Sequence, residues 1–97
     1  MPYIKPHKRD ELDPAVDQIL NALRGLESDD PGNDTEGNLN YVISSLLSKI
    51  YPGSRYAEIN AAMGVMSSAT AEYYRRVAVP YETQKAFENG DVYPSNE

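Results

Sequence analysis

Large apolar residues recur along this chain at steps of three and four, the spacing of one face of an α-helix. The longest such row consists of Tyr56, Ile59, Met63, Met66, Thr70, Tyr73 and Val77. Pro80 follows this row, and a proline lacks an N–H donor and disfavours helical geometry at the residue before it. We therefore predict a long central helix over residues 55–79 that ends at Pro80, with Ser54 as its N-cap.

Two apolar rows nearer the N-terminus predict two further helices. Asp13–Pro14 is typical of a helix start and Gly25 of a helix end. In the second row, Thr35 or Asn38 can cap the start, and Pro52 follows the end. These signals predict helices over 14–25 and 36–51, built on Leu12, Val16, Ile19, Leu20 and Leu23 and on Leu39, Val42, Ile43, Leu46, Leu47 and Ile50.

The remaining segments are short. A fourth helix is predicted over 81–88, and Asn89-Gly90 is predicted to end it. Residues 1–12 are predicted to form an N-terminal arm, extended up to Lys5 with a helical turn opened by Pro6, and this arm and the tail over 91–97 are predicted to be mobile. The pattern predicts an all-α protein, a small antiparallel bundle with a long central helix and a short C-terminal helix, in one domain over 1–97.

A row of small residues on the central helix predicts self-association. It includes Ala57, Ala61, Gly64 and Ser68, again at helical spacing. A three-helix bundle can cover the row of large residues without a second contact surface on the same helix. A second copy of the chain packed on the small row is one interpretation, and a neighbouring helix of the same chain is the other.

Composition and charge narrow the classes of function. The chain of 97 residues carries a net charge of −6, which argues against binding nucleic acid through its backbone, because that needs clustered Lys and Arg. It has no cysteine, which excludes disulfides and thiolate zinc sites. No apolar run has signal-peptide length or approaches the roughly 20 residues of a membrane span. We therefore predict a soluble, cytoplasmic protein without a membrane partner.

Aromatic and charged residues are densest around the predicted end of the central helix. Arginine forks bind phosphate or carboxylate, and tyrosine rings stack on bases, so this cluster could bind an anionic nucleotide. The structural alternative is a Glu72–Arg76 ion pair at i, i+4, which would leave Arg75 as the freer cation. The candidate ligand-binding residues are Lys5, Tyr74, Arg75, Arg76 and Tyr81.

The sequence offers little for catalysis. His7 is the only histidine, and no Asp or Ser is placed by sequence to make it a catalytic base. Phosphate-binding loops, nucleophile elbows and metal-binding helix motifs do not occur. We predict no catalytic residues, no metal site and no cofactor, and an enzyme that uses His7 is the least favoured interpretation.

Several short motifs extend over nearly the whole chain: residues 1–6 (MPYIKP), 37–43 (GNLNYVI), 55–56 (RY) with 58–60 (EIN), 74–77 (YRRV) with 80–82 (PYE), and 88–92 (ENGDV). Together they resemble a family of short uncharacterised proteins of tailed phages, prophages and bacteria, a domain of unknown function. The resemblance implies a phage or prophage setting. Small helical phage proteins include oligomeric sponges that hold nucleotide immune signals and proteins that cover a host protein.

We therefore expect a non-enzymatic, homo-oligomeric helical interaction protein that is derived from a phage or prophage. The alternative is a binding protein that sequesters an anionic nucleotide signal of host defence. The predicted partners are other copies of the chain and either a host protein or a small anionic nucleotide.

Overall fold

The computed structural model describes residues 1–94, and over that range it contains helices and no strand. The helices are α1 (Pro6–Asp29), α2 (Thr35–Ile50), α3 (Tyr56–Tyr73) and α4 (Val79–Asn89), with a π-helical turn over Tyr74–Ala78 between the last two. The prediction of an all-α protein with a long central helix is confirmed. Residues 91–94 are neither helix nor strand. Residues 95–97 of the predicted mobile tail lie outside the described range.

The first helix is longer than the predicted 14–25. Lys5 is extended, with φ −64° and ψ 148°, and its carbonyl accepts hydrogen bonds from the Lys8 and Arg9 N–H groups. The predicted helical turn opened by Pro6 is thus the first turn of α1, and residues 6–12 are helical. The predicted start at Pro14 and end at Gly25 are wrong. Both residues lie at or near the surface, where water can bond a carbonyl left unpaired by Pro14.

Asp34 starts α2, where Thr35 or Asn38 was predicted as the cap. The Asp34 Oδ1 accepts a hydrogen bond of 3.0 Å from the Gly37 N–H. Thr35 instead donates through Oγ1 to Glu27 Oε1 at 2.8 Å, which ties the start of α2 to the end of α1. Asn38 donates its side-chain amide to Asn33 Oδ1. The side chains of both predicted caps therefore bond to neighbouring side chains and do not cap the start of α2.

Glu58 organises the start of α3. One carboxylate oxygen, Oε2, accepts hydrogen bonds from the Gly53 and Ser54 N–H groups at 3.0 and 3.1 Å, and from the Ser54 hydroxyl at 3.2 Å. The predicted Ser54 cap is wrong, because Arg55 holds the cap position and its carbonyl accepts hydrogen bonds from the Glu58 and Ile59 N–H groups. A glutamate that reaches back to the residues before a helix satisfies donors that the helix itself leaves unpaired.

The central helix was predicted to end at Pro80, and this is wrong. The helical backbone continues past Pro80, because a π-turn accommodates the proline. The Val79 N–H donates to the Tyr74 carbonyl, five residues earlier, and the backbone stays helical through Ala78 and Val79 into α4. In a regular α-helix the proline ring would clash with the carbonyl four residues before it. The wider turn relieves that clash. The short C-terminal helix is present, and Gly90 follows it with φ 92°.

The chain forms two units, of which the first comprises Met1–Ala62 and the second begins at Met63. In the first unit, the five-residue connection between Asp29 and Thr35 makes α1 and α2 an antiparallel hairpin. Side chains are half-buried between these helices at Ile19, Leu23, Asn38 and Val42. Across residues 1–94, however, none reaches the buried class.

Candidate interaction surface

A row of large apolar residues on α2 is uncovered in the first unit. Its members are Leu39, Ile43, Leu46 and Ile50, which are 44%, 46%, 48% and 62% exposed. The side of α2 that meets α1 is a different one, where Asn38 and Val42 are half-buried. The row has steps of four, three and four residues, so it is one continuous strip along the helix.

Apolar residues of α1 extend this strip across the hairpin. Val16 and Leu20 are 58% and 39% exposed. At 100° per residue they lie roughly 40–80° from the line through Ile19 and Leu23, and the α2 row lies roughly 90° from Asn38 and Val42. Because both helices are right-handed and run antiparallel, these rotations are toward the same side. We call the surface formed by Val16, Leu20, Leu39, Ile43, Leu46 and Ile50 the hairpin face.

A small groove lies on the other side of the hairpin, next to the loop. Its volume is about 210 Å³, less than the roughly 300 Å³ at which ligand pockets usually begin. Its main polar group, the Asn38 amide, is engaged by Asn33. The groove is lined by Ile19, Ala22, Leu23, Leu26, Asn38, Tyr41 and Val42.

Charge is distributed unevenly along the hairpin. Around the loop, residues 27–37 contain five carboxylates and no basic residue: Glu27, Asp29, Asp30, Asp34 and Glu36. At the opposite end, Lys5, Lys8 and Arg9 open α1, and Lys49 lies in the last turn of α2. Three acidic residues, at positions 10, 11 and 13, follow this basic group. The loop end is thus strongly negative, and the other end is close to neutral or weakly positive.

In the second unit, one arginine of the cluster predicted to bind a nucleotide is paired with an acid. Arg75 pairs with Glu72, with Nε 2.8 Å from Oε1 and a second guanidinium nitrogen 3.1 Å from Oε2. The prediction that Arg76 would take Glu72 and leave Arg75 freer is therefore wrong; the i, i+3 pair is formed instead. Arg76 has no hydrogen bond or ion pair to any residue of the described range.

The other members of that cluster belong to different elements. Tyr74 and Tyr81 are both exposed, and the Lys85 ammonium lies 5.7 Å from the centre of the Tyr81 ring. A shallow depression of about 430 Å³ beside Tyr74 includes neither arginine; its lining is Ala69, Thr70, Tyr73, Tyr74 and Ala78. Lys5 belongs to the first unit, at the start of α1. Nucleotide binding by these residues stays a prediction.

The small row of α3 is exposed along its length. Ala57, Ala61, Gly64 and Ser68 are all in the exposed class. A Cβ added at Gly64 would have no atom within 4 Å outside its own helix backbone and chain neighbours. The row therefore has space for a close neighbour, and its role as an interface stays a prediction.

Metal-ligating side chains do not cluster within residues 1–94, where no group of three His, Cys, Asp or Glu could hold an ion. His7 lies in the exposed first turn of α1. None of the helices found over the same range is long and apolar enough to cross a bilayer.

The bundle core predicted from the sequence includes the α2 row, which is a surface in the folded chain. The signal was present, because Leu39, Ile43, Leu46 and Ile50 have helical spacing by themselves. Periodicity identifies an apolar face, but it does not say whether the same chain covers it.

A family model described as a domain of unknown function (DUF6899) matches residues 1–92. Comparison with curated proteins and comparison with solved structures gave no match.

Proposed function

Because the chain belongs to the DUF6899 family, whose description names no activity, we propose a function from the geometry: this protein is a non-enzymatic helical interaction protein that associates with copies of itself. The observation that carries the proposal is the lack of any buried side chain among residues 1–94, although the helices have well-formed apolar rows. Apolar surface removed from water is the main favourable term in folding and association. A chain that leaves these rows exposed gains stability by covering them with another chain.

The motif resemblance supports a phage or prophage origin, and we include that origin and a cytoplasmic location in the proposal. A host protein is a second partner in this proposal, because an exposed apolar helical surface can also bind and cover a host protein.

Thermal unfolding followed by circular dichroism at several protein concentrations tests self-association. A folded state made of several chains is stabilised by mass action, so the midpoint should rise with concentration. A midpoint that stays constant over the micromolar range, with helical content unchanged, would refute the proposal.

Sequestration of an anionic nucleotide is the second candidate, and the observation that favours it is Arg76, a cation without a partner in the described range. Titration calorimetry with cyclic dinucleotides on the wild type and on Arg76→Ala separates the candidates. If the protein only self-associates, no heat of binding is released. Heat that disappears in Arg76→Ala would support a nucleotide site.

A further inference from the structure

We propose that the hairpin face docks on the hairpin face of a second copy, with the two hairpins antiparallel, so that α1 and α2 of each chain form a four-helix bundle. This inference rests on the proposed self-association and specifies its surface and orientation.

The first unit contains half of a bundle. A helical hairpin is one layer, and a layer with an apolar side is stable when a second layer covers that side. The hairpin face provides such a side on both helices, and α2 alone contributes Leu39, Ile43, Leu46 and Ile50 to it. Two identical layers related by a two-fold axis bury the same surface on both chains, which is the commonest symmetry of homo-oligomers.

Charge complementarity between the two ends of the hairpin favours a second copy as the occupant. The loop end carries five carboxylates and no cation, whereas at the other end four cations, Lys5, Lys8, Arg9 and Lys49, outnumber the three acids Asp10, Glu11 and Asp13. In an antiparallel dimer the acidic end of each hairpin lies beside the basic residues of the other. In a parallel dimer the two acidic ends would meet, and like charges in such proximity oppose association.

The basic group also interacts unfavourably with the dipole of its own helix. Lys8 and Arg9 lie in the first turns of α1, whose N-terminus already carries positive partial charge. Asp10, Glu11 and Asp13 of the same helix offset part of this repulsion, and a negative neighbour from another chain would offset more of it. The acidic loop of a second copy supplies one without any other ligand.

Charge reversal tests the orientation, and the reversed residues are chosen because no hydrogen bond or ion pair within residues 1–94 engages their side chains. Lys5→Glu with Lys8→Glu reverses the basic end, and Asp29→Lys with Glu36→Lys reverses the acidic end. The first pair places carboxylates at a helix N-terminus, which favours α1 itself. A loss of association in that variant therefore does not come from a weaker helix.

Sedimentation velocity on these variants should show each reversal raising the dimer dissociation constant by about tenfold or more, and the chain with both reversals recovering affinity near that of the wild type. Tighter association after reversal of the acidic end alone would indicate that the acidic loops of the two chains lie side by side. That result would overturn the antiparallel orientation. Two single reversals without effect would overturn it as well.

The face itself is tested by Ile43→Glu with Leu46→Glu, against the matched control Ser48→Glu on the opposite side of α2. We expect the double variant to be monomeric with helical content retained, because those positions are exposed in the single chain, and the control to associate like the wild type. A double variant that still dimerises would overturn the docking surface while leaving self-association standing. A monomeric wild type would overturn both, since another protein or another part of this chain would then cover the face.

Discussion

At the scale of single residues, Asp34 fixes the start of α2 through its hydrogen bond to the Gly37 N–H. We predict that Asp34→Ala lowers the free energy of unfolding by about 1 kcal/mol, the usual cost of removing an aspartate cap. Urea denaturation at one protein concentration measures the change. Asp29→Ala is the control, because Asp29 is in the last turn of α1 and caps no helix start; an equal loss in both variants would contradict the role of the cap.

Two glycines in helices should respond to alanine in opposite ways. At Gly25 an added Cβ meets no atom within 4 Å, whereas at Gly37 it would contact the Asp34 carboxylate and lie 2.9 Å from its Cγ. We predict that Gly25→Ala stabilises by about 0.5–1 kcal/mol, the ordinary gain in a helix interior. Gly37→Ala should gain nothing or destabilise, since it displaces the cap.

Both glycine variants are compared with the wild type by urea denaturation at the same protein concentration, because association alters apparent stability. A Gly37→Ala chain stabilised as much as the Gly25→Ala chain would show that the cap moves aside without cost.

At the scale of elements, the spacing of apolar residues predicted the helices, and both ends of α2 lie within one residue of the prediction, but the bounds of α1 and the break at Pro80 were wrong. The steps of three and four between apolar residues in α1, α2 and α3 can be read directly from the sequence, and they match the periodicity of an α-helix. The ends depend on side chains such as Glu58, which reaches back to Gly53 and Ser54. Helix boundaries predicted at Pro14, Gly25 and Pro80 are wrong, because each proline or glycine raises the free energy of a helix only by a limited amount. Other interactions in the folded chain can offset that cost.

The π-turn should depend on Pro80. We predict that Pro80→Ala converts Tyr74–Ala78 to regular α-helix, since the N–H restored at position 80 can donate four residues back. Stability should rise by about 1 kcal/mol or more, part of the cost of proline in a helix interior. Carbon chemical shifts and amide exchange over residues 74–80 report the change. Val79→Ala is the control, and a π-turn retained in Pro80→Ala would contradict the explanation.

Gly64 tests whether the small row of α3 contacts another chain. The space around Gly64 is open in the single chain, so Gly64→Leu should keep or raise helical content. If the row is an interface, light scattering will show a smaller particle, because leucine prevents close approach of helix backbones. An unchanged particle mass with retained helicity would exclude the row and leave the hairpin face as the contact surface.

At the scale of the whole molecule, the sequence predicted the fold class but could only partly predict a site. Arg75 and Arg76 are adjacent in sequence, and side-chain geometry decided that Arg75 takes Glu72. The hairpin face was hidden for another reason. Leu46 and Ile50 have the same spacing whether they form a core within one chain or a surface between two, and that distinction requires the exposure of each side chain in the folded chain.

Native mass spectrometry of the wild-type protein tests the central claim most directly, because it reports both the number of chains and any retained ligand. Each chain has a mass of 10.8 kDa. We predict a main species of two chains, or of a multiple of two if the small row of α3 adds further contacts, with no added mass. A species of one chain at micromolar concentration would contradict the claim that this protein associates with itself.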